Sequence, residues 1–194
     1  MKCSVWASLV LLLAGGNLHA AIITTTVYSN FTDTGSNITF SGSVLGTIGS
    51  SNVQFGASQG NFNWHPFGAG AFATDTTGWI SVASNGTYTF NMPSDDGSYL
   101  FIDGSLVLNN GGDHAQPGGN PTANISLTAG VHTFEVKFQE NGVGPSGVDL
   151  NLPTGVTFVG NPVPEPSTFA IFGLMLAMGA GCYFYRRRAF APVV

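Results

Sequence analysis

Apolar and polar residues alternate along several short segments in the middle of the chain. Tyr88, Phe90 and Met92 are separated by Thr and Asn, and the segment 134–138 places Phe, Val and Phe between Glu135 and Lys137. A period of two is typical of a β-strand with one buried face. We therefore predict strands at both places, with the apolar residues in the core and Glu135 and Lys137 pointing outward.

Turn signals separate these segments from others of the same kind. Ser84-Asn85-Gly86 is a hairpin signature that ends a strand over 79–82. Asp103-Gly104 joins a strand over 99–102 to one over 106–108, and the segment 148–152 alternates again, with Asp149 and Asn151 on its polar side. Residues 109–122 have no periodicity and are predicted to form a loop. The pattern predicts an all-β domain over residues 21–158.

Composition supports this fold class. Only 8% of the residues are charged and 27 are Gly, whereas a helical bundle or a doubly wound nucleotide-binding fold needs many more strong helix formers. Lys137 is the one basic residue between Ala21 and Val163, in a chain of net charge −5. An acidic surface repels phosphates, so we expect no nucleic-acid partner. No nucleophile elbow, metalloprotease motif or phosphate-binding loop is present, so we expect no enzymatic activity.

Both ends of the chain indicate export. Residues 1–20 have a Lys2 start, an apolar stretch and a small-residue cut before Ala21, as in a secretory signal peptide. Near the other end, a linker over 159–168 precedes the segment 169–188, which consists of an uncharged apolar run over 169–185 and a basic tail of Arg186, Arg187 and Arg188. We predict that this run forms a membrane-spanning helix with its arginines in the cytoplasm.

The motif Pro164-Glu165-Pro166, followed by a short apolar helix and a basic cluster, resembles the PEP-CTERM sorting signal of bacterial exported proteins. The resemblance implies recognition by an exosortase-type membrane protease, removal of the helix, and release to the cell surface or extracellular matrix. A membrane-anchored form would precede this release. The alternative is a permanent C-terminal membrane anchor.

A second resemblance lies inside the predicted domain. The runs 86–90, 94–104 and 127–132, which contain Ser94-Asp95-Asp96-Gly97-Ser98, resemble the PA-fourteen (PA14, protective antigen) domain. The match covers about 62–152, and the family fold is an antiparallel β-sandwich or barrel. In its lectin branch, two consecutive aspartates joined by a cis peptide hold calcium, and a second loop supplies further oxygens and contacts sugar hydroxyls.

That resemblance implies a candidate site for calcium and sugar. Asp95 and Asp96 match the paired aspartates, and the second loop corresponds to 140–144. The implied calcium ligands are Asp95, Asp96, Glu140 and Asn141. The implied ligand-binding loops contain Asn141, Gly142, Val143, Asp113 and His114. The alternative is that Asp95 and Asp96 only accept backbone hydrogen bonds in a tight turn.

These features predict an exported carbohydrate-binding or adhesion module, assisted by calcium and directed at a glycan or extracellular polysaccharide. The competing interpretation is a structural matrix or biofilm protein that binds no specific sugar.

Overall fold

The computed structural model of the chain describes residues 23–56, 67, 70–115, 121–142 and 146–161. The predicted signal peptide, the sorting motif Pro164-Glu165-Pro166, the apolar run and Arg186 to Arg188 lie outside these residues. All regular structure in the described ranges is β-strand, which confirms the all-β prediction there. In that part of the chain, no helix has the length and apolar character needed to cross a membrane.

The described ranges contain thirteen strands, numbered here in chain order. They are β1 (Ile23–Tyr28), β2 (Phe31–Asp33), β3 (Ile38–Phe40), β4 (Val44–Ser50), β5 (Phe72–Val82), β6 (Gly86–Asn91), β7 (Ser94–Asp95), β8 (Ser98–Ile102), β9 (Ser105–Asn110), β10 (Thr122–Leu127), β11 (Gly130–Glu140), β12 (Gly147–Val148) and β13 (Val156–Val159). The strands predicted over 79–82, 99–102 and 106–108 are present within β5, β8 and β9. The turn at 84–86 follows β5, and the turn at 103–104 joins β8 to β9, as expected.

A large antiparallel sheet forms the framework, in the order β4-β1-β5-β11-β8-β9. Strand β11 pairs with β5 along its whole length. The opposite edge of β5 is shared, because β1 pairs with its first half and β13 with its second half. Smaller two-stranded units, β6–β10, β7–β12 and the β2–β3 hairpin, complete the domain.

The main core lies between the large sheet and the β6–β10 pair. Phe90 of β6 and Ile125 of β10 join one apolar cluster with Phe134, Val136 and Phe138 of β11. Phe90, Val136 and Phe138 have no exposed surface, as the alternation in the sequence predicted. Tyr88 differs, because it is only partly buried and its hydroxyl donates a 2.6 Å hydrogen bond to the carbonyl of Ser84 at the turn.

The opposite face of the large sheet is also covered, where the sequence suggested solvent. The β2–β3 hairpin packs there through Ile38, against Ala73 and Tyr99. Lys137 points to this face, yet its side chain is only 14% exposed. Its ammonium donates a 3.0 Å hydrogen bond to Asn37 Oδ1 and lies 5.4 Å from the ring centroid of Phe40. The outward direction was correct, and the hairpin explains the burial.

Asp149 is a second position where burial exceeds expectation. The segment 148–151 is bonded on both edges, since Leu150 N donates to Val53 on one side and Asp149 N donates to Pro93 on the other. Neighbouring chain on both sides leaves Asp149 3% exposed, although its side chain belongs to the polar side of the alternation.

Candidate functional site

The paired aspartates lie at one end of the sandwich, just after the short strand β7. Asp95 pairs with Gly147 of β12, and the Asp95–Asp96 peptide bond is cis, as the resemblance implied. Gly97 follows at a point of close approach, because a Cβ there would lie 2.9 Å from the carbonyl oxygen of Gly112. The absence of a side chain at Gly97 therefore lets the loop after β9 reach the paired aspartates.

The Asp96 carboxylate connects two separate loops. Its Oδ1 accepts a 2.9 Å hydrogen bond from the backbone N–H of His114, and its Oδ2 accepts one of 3.0 Å from the backbone N–H of Asn141. An ionised carboxylate has about four lone-pair positions. Each Asp96 oxygen therefore keeps a lone pair for another partner.

Asp113 joins the same group through side-chain amides. Gln139 Nε2 donates a 3.0 Å hydrogen bond to Asp113 Oδ1, and Asn141 Nδ2 donates one of 3.0 Å to Asp113 Oδ2. Asn141 therefore contacts Asp96 through its backbone and Asp113 through its side chain. This places both loops of the predicted site side by side.

Glu140 ends strand β11 and is 4% exposed. Its Oε1 accepts a 2.9 Å hydrogen bond from Gly142 N, whereas its Oε2 is buried and has no hydrogen-bond partner among the described residues. Burial, with the nearby charges of Asp96, Asp95 and Asp113, raises the pKa of Glu140 to about 7, against the opposing effect of the Gly142 hydrogen bond. The site thus holds a buried acid beside three others.

His114 is anchored in the same loop. Its Nε2 lies 3.0 Å from the carbonyl oxygen of Asn110, and since that oxygen can only accept, Nε2 carries the proton. Its Nδ1 is buried and has no hydrogen-bond partner within the described ranges. The ring is therefore fixed in place with one nitrogen still available.

The structure brings Asp95, Asp96, Glu140, Asn141, Gly142, Asp113 and His114 to one end of the domain. Val143 lies outside the described residues. In the described part of the chain, no three His, Cys, Asp or Glu side chains form a ready set of metal ligands. Calcium also uses amide and backbone carbonyl oxygens, and Asn141 carries a side-chain amide within this group.

A cleft of about 550 Å³ opens beside these residues. It is lined by Asp113, Gln139 and Asn141 of the candidate site and by Phe31 and Asp33 of the β2–β3 hairpin. The contribution of Phe31 and Asp33 could not be predicted from the sequence. A three-residue strand has too little periodicity to be recognised, and nothing local indicates contact with a loop about eighty positions away.

Asp103 lies at the β8–β9 turn with a φ of 49°. Its Oδ2 lies 2.7 Å from His132 Nδ1, and its Oδ1 accepts a 3.0 Å hydrogen bond from Thr133 N. These contacts give Asp103 a structural role in holding the turn against strand β11.

The sequence matches the PA14 domain family over residues 31–156, and the chain belongs to that family. The match begins at the β2–β3 hairpin, earlier than the motifs that carried the resemblance. No curated protein sequence matches the chain significantly.

Several solved structures are similar in fold. The PA14 domain of the MpAFP antifreeze protein has a TM-score of 0.57 at 13% identity, over 75% of this chain and 94% of that one. An anti-sigma factor domain-containing protein from Clostridium clariflavum has a TM-score of 0.54 at 16% identity, over 76% of this chain and 50% of its own length. The PA14 sugar-binding domain from an RTX adhesin has a TM-score of 0.50 at 16% identity, over 69% of this chain and 90% of that one. This chain thus spans half the length of the Clostridium protein.

Proposed function

We propose that this PA14 domain is a non-enzymatic carbohydrate-binding module of an exported surface protein, and that calcium assists the binding. The observation that carries the proposal is the buried carboxylate of Glu140, whose Oε2 has no hydrogen-bond partner among the described residues, beside Asp95, Asp96 and Asp113. Buried charges need a counter-charge or a metal ion. A divalent cation bound there would balance the acids and give the Glu140 oxygen a partner.

The donor set fits calcium better than other common metals. Calcium takes six to eight oxygen ligands from carboxylates, amides and backbone carbonyls, and its geometry is flexible. Asp95, Asp96 and Glu140 would supply carboxylate oxygens, and Asn141 an amide oxygen. When bound, the ion would offer coordination positions to the hydroxyls of a sugar. The absence of cysteine from residues 21–163 argues against thiolate metal chemistry.

The neighbouring cleft supports a small-molecule ligand. Its volume of about 550 Å³ lies in the usual range for such sites, about 300–1,000 Å³. Asp113 and Asn141 present hydrogen-bonding groups to this space, as sugar hydroxyls require. One of the similar structures is itself described as a sugar-binding domain of an adhesin, which favours a glycan over other polar ligands.

Export and sorting complete the proposal. The signal peptide would direct the chain across the membrane, and an exosortase-type protease would recognise Pro164-Glu165-Pro166 and release the domain to the cell surface or matrix. The apolar segment would hold the intermediate in the membrane until then.

A glycan array, probed with the protein in calcium and in chelator, tests the binding proposal. We expect binding to a limited set of glycans in calcium, and its loss in chelator and in the double variant Asp95→Asn, Asp96→Asn. The matched control is Asp103→Asn, which makes the same chemical change away from the site and should bind as the wild type does. Absence of binding in calcium would favour a structural matrix protein.

A further inference from the structure

The β2–β3 hairpin is fastened to the candidate site through Asp33. Its Oδ2 accepts a 3.1 Å hydrogen bond from the backbone N–H of Gly112, the residue before Asp113. Its Oδ1 accepts hydrogen bonds from Tyr99, at 2.5 Å, and from Gly35 N, at 2.8 Å. The hairpin is thus held next to the loop that contributes Asp113 to the cleft.

The approach of that loop depends on a small residue. A Cβ on Gly111 would collide with the hydroxyl of Tyr99. Asn109 Nδ2 also donates a 2.9 Å hydrogen bond to the carbonyl oxygen of Gly35 in the hairpin turn. Several polar contacts therefore set the position of the hairpin, which makes it a fixed wall of the cleft.

Phe31 is the aromatic residue on this wall. Its ring packs against the small apolar cluster of Ile38, Ala73 and Tyr99 but remains partly exposed. Phe31 lines the cleft together with Asp113 and Asn141. The cleft thus combines one aromatic side chain with a carboxylate and an amide.

This combination has a clear chemical preference. A pyranose ring has hydroxyls at its edge and C–H groups on its faces, so it needs polar partners around the rim and an apolar surface below. Specific small-molecule sites commonly join an aromatic lining to a few placed polar groups. An aromatic ring supplies such a surface with little loss of conformational freedom, since its side chain has two rotatable bonds.

We infer that Phe31 is a sugar-contacting residue, and that its ring stacks on the face of a pyranose whose hydroxyls meet Asp113, Asn141 and the proposed calcium. The inference rests on the proposed function and adds to it an N-terminal contact that the paired-aspartate motif does not contain. It assigns to the β2–β3 hairpin a direct part in selecting the ligand, because a sugar without an unobstructed C–H face would not pack on Phe31.

Three variants separate a stacking contact from a packing role. Phe31→Leu keeps an apolar side chain but removes the ring, and Phe31→Tyr keeps the ring. Phe40→Leu is the matched control, because Phe40 lies on the same hairpin but stacks on Tyr28, with ring centroids 4.2 Å apart. If Phe31→Leu is unfolded at the assay temperature, Phe31→Met, which is longer and unbranched, takes its place.

The full chain, kept in a detergent without a sugar headgroup, is titrated by calorimetry with calcium alone. It is then titrated, in saturating calcium, with methyl glycosides of glucose, galactose, mannose, fucose and N-acetylglucosamine. We expect Phe31→Leu to weaken sugar binding by about threefold to tenfold, the range of an aromatic contact. Phe31→Tyr and Phe40→Leu should bind sugar as the wild type does, and all variants should bind calcium equally.

Two results would overturn the inference and leave the proposed function intact. One is wild-type sugar affinity in Phe31→Leu. The other is a parallel loss of calcium and sugar affinity in that variant, which would mean that Phe31 only supports the calcium loops. If the wild-type protein binds calcium but none of the glycosides and no glycan on the array, the proposed function and the inference both fail.

Discussion

The hydroxyl of Tyr99 donates a 2.5 Å hydrogen bond to Asp33 Oδ1, and this contact joins the large sheet to the hairpin that covers it. Burial, together with this hydrogen bond and the Asp33 charge, raises the pKa of Tyr99 above its ordinary value. Tyr99 therefore stays neutral and remains a donor throughout the physiological pH range.

Replacing Tyr99 with Phe removes this donor and little else. A hydrogen bond to a charged group contributes about 1.5–3 kcal/mol, so we expect the free energy of unfolding of Tyr99→Phe to fall by that amount. Denaturant titration measures it. Tyr88→Phe is the control, since it loses a bond to a neutral carbonyl at an exposed turn and should lose about 1 kcal/mol or less. Equal losses in both variants would contradict the assigned importance of the Asp33 contact.

The pair of His132 and Asp103 predicts a pH dependence. Hydrogen bonds to Asp103 and to the carbonyl of Thr128 raise the pKa of His132 against the effect of burial. Burial alone would raise the pKa of Asp103, but the hydrogen bonds from His132 and Thr133 outweigh it and lower this pKa. The contribution of the His132 contacts to stability is therefore fully present when the pH is below the unfolded-state pKa of about 6.5. It is lost as the pH rises through the pKa that His132 has in the folded state.

The test compares the wild type with His132→Gln in saturating calcium, which keeps the acidic site in one state. We expect the difference in unfolding free energy to be largest near pH 5.5 and to shrink toward pH 8.5, about one unit below and two above the unfolded value. The contribution of Asp103 to the free energy of unfolding is lost only as the pH falls below about 4. A difference that stays constant from pH 5.5 to 8.5 would contradict the assigned charge on His132.

Replacing Glu140 with Gln should have opposite effects on the stability of the protein with and without calcium. Glu140→Gln removes a buried negative charge that lies near Asp96, Asp95 and Asp113, so the variant should be more stable than the wild type in chelator. In calcium the wild type should gain about 2.7 kcal/mol at a hundredfold excess of calcium over its Kd, by mass action. The variant should lose most of this gain.

Thermal unfolding in calcium and in chelator measures both effects. Glu135→Gln is the matched control, because it removes the same charge from a glutamate that pairs with Lys137 at 3.5 Å. It should leave the calcium-dependent shift unchanged. Equal melting temperatures of the wild type in calcium and in chelator would mean that Asp95 and Asp96 form only a turn.

Truncating either of two buried aromatic residues of the core should cause a large loss of stability. Phe90 is 0% exposed and Phe134 is 2% exposed, and truncating a buried Phe to Ala typically costs about 3–5 kcal/mol. Phe90→Ala and Phe134→Ala should each lower the free energy of unfolding by that amount. Leu106→Ala is the control at an exposed position, where we expect about 1 kcal/mol or less. Unchanged stability in both Phe variants would mean that the strand faces are wrongly assigned.

The sorting proposal predicts a defined C-terminal end. We expect the intact mass of the secreted form to lack residues 169–194, and the change of Pro164, Glu165 and Pro166 to Ala to block this processing. A stable membrane-bound product that retains the full C-terminus would instead support a permanent anchor.

Much of the large sheet could be predicted because its strands are long enough for alternation to show. Phe134, Val136 and Phe138 were placed correctly in the core, and the Asp95–Asp96 cis bond was expected from the motif. The hairpin that carries Phe31 could not be placed. Its strands have three residues each, and its contacts are made with Tyr99 and Gly112, far along the chain.

The burial of polar residues could not be predicted from the sequence either. Alternation tells which face of a strand a side chain occupies, but it does not tell whether another layer covers that face. Lys137 therefore appeared solvent-exposed, although the hairpin covers it. Asp149 was misjudged for the same reason, because its segment lies between two other pieces of chain.

Because Lys137 is enclosed by other residues, cleavage of the chain after this residue can be used to measure unfolding of the domain. Trypsin cuts after Lys and Arg, and Lys137 is the only such residue from Ala21 to Val163. It lies in β11, a central strand of the large sheet, with its ammonium 5.4 Å from the ring centroids of both Phe40 and Phe101. A protease can reach that bond only when the sheet separates, so the rate of this single cut follows unfolding of the whole domain.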